Sequence, residues 1–198
     1  MRLLLMGPPG AGKGTQAAVI AERFAVPAIS TGDIFRTNVV QQTTLGVAAQ
    51  TYMDAGEYVP DEITNAMVAD RLAERDCADG FLLDGYPRTP QQVVELDSLL
   101  ELSGAGLDAV VLLEADPDEL VSRLLARSEE QGRADDTESV IRRRLEVYAA
   151  ETGPLAAGYA ERGLLARVDG LGPVDEVTER ILTVLTSAAA QRTATSAP

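Results

Sequence analysis

The sequence predicts an α/β fold built on a parallel sheet. Three observations carry this: short apolar runs recur along the chain, segments of helical period separate them, and the first run feeds a glycine-rich turn that opens a helix. Arg2–Met6 is apolar after its arginine, the pattern of a strand buried on both faces. Lys13–Phe24 then places Ala17, Ile20, Ala21 and Phe24 at helical spacing. Pro27–Ile29 is a second, shorter strand candidate. Ser30 with Asp33 three residues on opens the next helix as a capping box, Asp standing where the longer Glu is usual. Gly80–Asp84, Asp108–Glu114 and Leu164–Val168 read as further central strands. Thr89-Pro90 and Asp116-Pro117 each set a capping residue before a proline at the first helical position. The end, Ser187–Pro198, is small, polar and aperiodic, and reads as a frayed tail.

Composition narrows the function. A chain of 198 residues suits one compact domain. With only 4% aromatics, the core must come from Leu, Val, Ile and Ala. A net charge of −14 argues against nucleic acid, whose binding needs a basic footprint. No apolar run reaches membrane-span length, and the start MRLLLMGPPG is too short for a signal peptide. Cys77 is the single cysteine, so neither an internal disulfide nor a cysteine metal cluster is expected, and the setting expected is cytoplasmic. The chain has no histidine, which removes the commonest general acid or base. Its only lysine is Lys13.

That lysine lies in Gly7-Pro8-Pro9-Gly10-Ala11-Gly12-Lys13-Gly14-Thr15. Glycines let a backbone wrap until several N–H groups point at one phosphate, and the helix that follows adds the positive end of its dipole. Lys13 supplies a compact cation for β and γ phosphates; Thr15 offers a hydroxyl to phosphate or Mg²⁺. The generic motif has Ser or Thr directly after the lysine, whereas Gly14 intervenes here. This is a variant phosphate-binding loop.

Three motifs follow in order: Ser30–Arg36 (STGDIFR), Gly56–Pro60 (GEYVP) and Gly80–Arg88 (GFLLDGYPR), then GRADD at 132–136. Together with the loop they resemble the adenylate kinase family, and the likeness runs from Met1 to about Leu185. It implies a P-loop domain whose five-stranded parallel sheet, flanked by helices, carries two small subdomains. These are an NMP-binding flap over 30–59 and a lid over 126–136, on a core of 1–29, 60–125 and 137–186. The implied reaction is reversible transfer of the terminal phosphoryl group of Mg-ATP to AMP, giving two ADP, by a monomer that maintains adenine nucleotide balance.

The resemblance assigns roles residue by residue. Gly10, Ala11, Gly12, Lys13, Gly14 and Thr15 would wrap the ATP phosphates. Arg36 and Arg88 would meet the AMP α-phosphate, where a guanidinium grips two oxygens. Arg88 also follows a strand's carboxyl end, where ligands of α/β proteins bind. Gly85, Tyr86 and Pro87 shape the same turn. Asp84 resembles the carboxylate that holds Mg²⁺ through water, with Thr15 a further candidate. Thr31, Gln92 and the backbone of Glu57, Tyr58 and Val59 would line the base pocket. Relatives acting on UMP or CMP tend to carry alanine and asparagine in place of Thr31 and Gln92. Arg127 would meet ATP, Arg133 and Arg144 the phosphates of both nucleotides, Arg123 a phosphate or adenine, and the Gly172 backbone the adenine of ATP. Arg142 and Arg143 read as a solvated face. Asp135 and Asp136 are candidates to latch the lid through arginines. The lid is short and lacks cysteines, so the short-lid form, with no structural zinc, is expected. A nucleotide switch is the reading from another class, but no guanine-reading Asn-Lys-x-Asp segment is present and the lid arginines would be idle.

Overall fold

The computed structural model describes residues 1–131 and 137–195. Five strands, β1 (Arg2–Met6), β2 (Ala28–Ser30), β3 (Phe81–Asp84), β4 (Ala109–Glu114) and β5 (Leu165–Asp169), form one sheet in the order β2-β3-β1-β4-β5. Every pairing is parallel; Leu4 of the central strand faces Leu83 on one side and Val110 on the other. The helices are α1 (Lys13–Phe24), α2 (Thr31–Val40), α3 (Thr44–Ala55), α4 (Asp61–Leu72), α5 (Pro90–Leu102), α6 (Pro117–Gln131), α7 (Glu138–Val147), α8 (Leu155–Glu161) and α9 (Val174–Thr195). A π-type turn, Tyr148–Thr152, continues α7.

Successive strand side chains point to opposite faces, so each apolar strand feeds two cores at once. Leu4, Met6, Phe81, Leu83, Val110 and Leu112 join one core with Leu96, Leu100 and Tyr159 from α5 and α8. Leu3, Leu5, Leu82, Val111 and Leu113 join the other with Ile20 of α1 and Ile181 and Leu185 of α9. This is why the strands read as continuous apolar runs. Truncating a buried leucine such as Leu4 to alanine is expected to cost roughly 2–5 kcal/mol.

Two of the caps read from sequence, at Ser30 and Thr89, are present. Ser30 Oγ accepts from the Asp33 N–H at 3.3 Å, and Thr89 Oγ1 from the Gln92 N–H at 3.2 Å, with Pro90 opening α5. Two boundaries differ. Helix α6 runs to Gln131, through the first six residues of the expected lid, because ARSEEQ consists mostly of good helix formers. Helix α9 runs to Thr195, into the expected tail, across three consecutive alanines that have the highest helix propensity.

The strand order positions a site. The chain leaves β1 toward β2 and β3 on one side and later crosses to β4 and β5 on the other. Loops leaving the carboxyl ends of β1, β3 and β4 therefore diverge, opening the crevice in which α/β proteins hold ligands.

Candidate functional site

A cavity of about 540 Å³ occupies that crevice. On one wall lies the loop after β1. Gly7 has φ +146°, and a Cβ there would fall 2.7 Å from the Leu113 carbonyl oxygen of β4, so only glycine lets the chain turn this close to its neighbour. Lys13 opens α1 and folds back over the loop, its Nζ donating to the carbonyls of Gly7 (2.8 Å) and Pro8 (2.9 Å). Gly10, Gly12, Lys13, Gly14 and Thr15 line the cavity. Ala11 is not a lining residue: it is 2% exposed, belongs to the core with Ile20, and donates its N–H to the Pro8 carbonyl at 3.2 Å.

The opposite wall comes from α2, the α3–α4 connection and the turn after β3. Gly85, at φ +80°, leaves room that a side chain would take from the Arg88 guanidinium and the Thr31 hydroxyl, each within 3 Å of a Cβ built there. Arg88 Nε donates to the Gly85 carbonyl at 2.6 Å, and Thr31 Oγ1 donates to the same oxygen at 2.9 Å. The Arg88 guanidinium lies 5.0 Å over the Tyr58 ring, a cation–π stack. Thr152 ties the stack from behind: its hydroxyl donates to the Arg88 carbonyl at 2.9 Å and pairs with the Tyr58 hydroxyl at 2.8 Å. Burial pushes the Tyr58 phenol above its ordinary pKa, and the Arg88 charge partly offsets this. The same burial pushes Tyr148, another lining residue, up to about 12. Both phenols are neutral hydrogen-bonding groups at pH 7.

Arg36, Glu57, Val59, Tyr86, Pro87, Gln92, Arg123 and Arg144 also line this cavity. Arg36 pairs with the Asp33 carboxylate one helical turn before it. Arg123 is held by Glu119 at 2.7 Å and reaches the Gly170 carbonyl at 3.4 Å. Gly172 lies past β5, in a turn whose Leu171 and Asp169 carbonyls accept from Arg180, and is not a lining residue. Arg127 is part of α6 by its backbone, and its side chain lies outside what is described; Arg133, Asp135 and Asp136 lie outside the described residues altogether. Arg142 pairs with Glu138 on an exposed face, as read. Arg143 is solvated as read and also pairs through its Nε with Glu57 at 2.7 Å, joining α7 to the α3–α4 connection.

Several lining residues had no sequence signal. Thr152, Tyr148 and Met53 reach the cavity only through the fold. Asp61 binds Thr89 and Gln92 across roughly thirty positions of sequence, which no local pattern betrays.

Asp84 ends β3 at 8% exposure and lines the cavity with Thr15. Burial raises its pKa, while Lys13, Arg88 and Arg36 pull it down. One buried carboxylate and one hydroxyl are hard oxygen donors, a set that fits Mg²⁺ carried on nucleotide phosphates mainly through water. Among the described residues there is no group of three or more His, Cys, Asp or Glu side chains that could hold a metal by itself, and no helix long and apolar enough to cross a membrane.

A glycine loop at the carboxyl end of a central parallel strand, facing arginines across one cleft, defines a P-loop phosphotransferase. Comparison with known proteins narrows the class. The adenylate kinase family matches over residues 5–164. An adenylate kinase of Kocuria rhizophila is 64% identical over 184 residues, covering 93% of this chain and 98% of that protein. One of a Nocardioides species is 62% identical (93% and 97% covered), and one of Pseudarthrobacter chlorophenolicus 57% (96% and 98%). The chain belongs to the adenylate kinase family. Its activity is phosphoryl transfer among adenine nucleotides, ATP + AMP ⇌ 2 ADP.

Proposed function

We propose that this cleft holds ATP on the Lys13 wall and AMP on the Arg88 wall, phosphate to phosphate, with the residues of this chain aligning them rather than reacting with them. What supports this most directly is that Lys13, Arg36, Arg88 and Arg144 all line one cavity.

In this reading the loop N–H groups of Gly10–Thr15 and the α1 dipole bind the β and γ phosphates of ATP, and Lys13 leaves its carbonyl partners to follow the transferring group. Arg88 and Arg36 grip the AMP phosphate, and Arg144 and Arg123 neutralise charge spread across both nucleotides. Arg127 and Arg133 are proposed to join them from the lid over 126–136, and Gly172 to pass its backbone beside the adenine of ATP. Thr31, Gln92 and the backbone of Glu57–Val59 select the adenine of AMP. Phosphoryl transfer needs alignment and charge stabilisation more than covalent help, and the attacking AMP oxygen is already anionic, so no general base is required. Mg²⁺, held through water by Asp84 and near Thr15, neutralises phosphate charge when bound. A closing lid keeps water from ATP. The protein is proposed to act as a cytoplasmic monomer in adenine nucleotide balance, without a structural zinc.

The test is ADP formation from ATP with AMP, CMP or UMP, each with Mg²⁺ and with excess chelator. AMP turning over fastest, and only with the metal, is the expected result. Preference for CMP or UMP overturns the base assignment, and metal-independent turnover overturns the role of Asp84.

A further inference from the structure

Gln92 is 1% exposed, yet it is one of the residues that line the cavity. Both ends of that amide are held by the protein. Its Oε1 accepts from the Arg88 backbone N–H at 2.7 Å, and its Nε2 donates to Asp61 Oδ1 at 2.6 Å. The other carboxylate oxygen of Asp61 accepts from the Thr89 hydroxyl at 2.7 Å, while that hydroxyl caps α5 by accepting from the Gln92 N–H. Asp61 is the first residue of α4, so it joins the start of α4 to the start of α5.

The chemistry of the partners dictates which way the amide faces. A backbone N–H only donates, and an ionised carboxylate only accepts. Turning the amide over would set donor against donor at Arg88 and oxygen against carboxylate at Asp61. In the held orientation, one N–H of Nε2 and one lone pair of Oε1 are left for a ligand. A free amide behaves differently, because it can present either end to either side. It would then read an amino group beside a ring nitrogen, or an oxo group beside a ring N–H, with equal ease. Thr31 adds to the same fixed pattern, since its hydroxyl proton is committed to Gly85 and its lone pairs remain.

We propose that Asp61 is a specificity-determining positioning residue that locks the Gln92 amide, so that the acceptor pocket takes a 6-aminopurine and refuses a 6-oxopurine. This deepens the assignment of Gln92 to the AMP base and rests on it. Asp61 does not touch the nucleotide; it acts through Gln92.

AMP and IMP make the sharpest probes, because they share the ribose phosphate and differ at N1 and C6 of the base. Any general effect of removing a negative charge cancels in their ratio. The experiment measures kcat/KM for both acceptors, with Mg-ATP saturating, in wild type, Asp61→Ala, Asp61→Asn, Gln92→Ala and the Asp61→Ala/Gln92→Ala double variant. Asp61→Ala is expected to reduce the AMP:IMP ratio roughly tenfold or more, since a buried polar reader that loses its fixed orientation loses its discrimination. Asp61→Asn should restore the ratio to within about threefold of wild type, its one amide oxygen facing Gln92 while its NH₂ meets the Thr89 oxygen. In the double variant the ratio should match that of Gln92→Ala alone, because the two residues act in series. If Asp61→Ala does not fold, Asp61→Ser, well tolerated at a helix start and too short to hold the amide, takes its place. A ratio within twofold of wild type in Asp61→Ala or Asp61→Ser, with the ratio lost in Gln92→Ala, overturns this inference and leaves the base assignment standing. A ratio unchanged in Gln92→Ala overturns the base assignment itself.

Discussion

The two walls of the cleft are built by different means. On the Arg88 wall, side chains are locked by partners distant in sequence: Thr31 to Gly85, Tyr58 to Thr152, Thr152 to Arg88, and Asp61 to Gln92. On the Lys13 wall most of the contacts described are local, the reach of Arg123 to the Gly170 carbonyl excepted. Lys13 bonds to carbonyls five and six residues back, and Arg123 pairs with Glu119 four residues back on the same helix. One wall is held by the tertiary fold, the other by a backbone loop and flexible cations. Damage to the first should spread through the network and strike one substrate; damage to the second should stay with the residue removed.

The largest test of that contrast is loss of a main cation on each wall. Lys13→Met and Arg88→Ala should each lower kcat about 10²–10³-fold, the scale for removing one preorganised charge at a developing transition state. Calorimetric titration then separates the walls: Lys13→Met keeps AMP binding, and Arg88→Ala keeps binding of a non-hydrolysable ATP analogue. Near-normal turnover in folded Arg88→Ala would remove that residue from the mechanism. A middle effect is expected at Thr152→Val, which keeps the shape but leaves the Arg88 carbonyl without its donor, a loss of roughly 1–3 kcal/mol. Steady-state kinetics should show kcat/KM for AMP falling about tenfold while KM for ATP moves less than twofold, because the Arg88–Tyr58 stack loses its backing. Equal changes for both substrates would contradict the proposed separation. The smallest effect belongs to Arg123→Gln on the local wall. KM for ATP should rise about threefold with AMP kinetics unaltered, since its ion pair with Glu119 is a surface one of little strength.

The same contrast explains what was legible in the sequence. Strand β1, its glycine loop and α1 follow from apolar runs, glycine spacing and helical period, all features within a few residues of one another. The caps at Ser30 and Thr89 are local too, and both are present. Arg36 and Arg88 are read from motifs that resemble a known family, and Gln92 from its place four residues after one of them. Asp61 and Thr152 are not, because their partners lie far away in the chain and nothing beside them marks the link. Arg143 is solvated, as its neighbours suggest, but its pairing with Glu57 on the α3–α4 connection has no local sign. Helix α9 continues past Ser187, where polar composition suggests a frayed tail, because intrinsic helix preference carries the chain on.

The single lysine has a practical consequence. With every other basic side chain an arginine, a reagent that acylates lysine amines finds one side-chain target, on the phosphate loop itself. An isotope-labelled methyl group on Lys13, which keeps the amine's charge, would therefore report on ATP occupancy from inside the cleft without any engineered attachment point, and bound nucleotide should shield that amine from an acylating reagent.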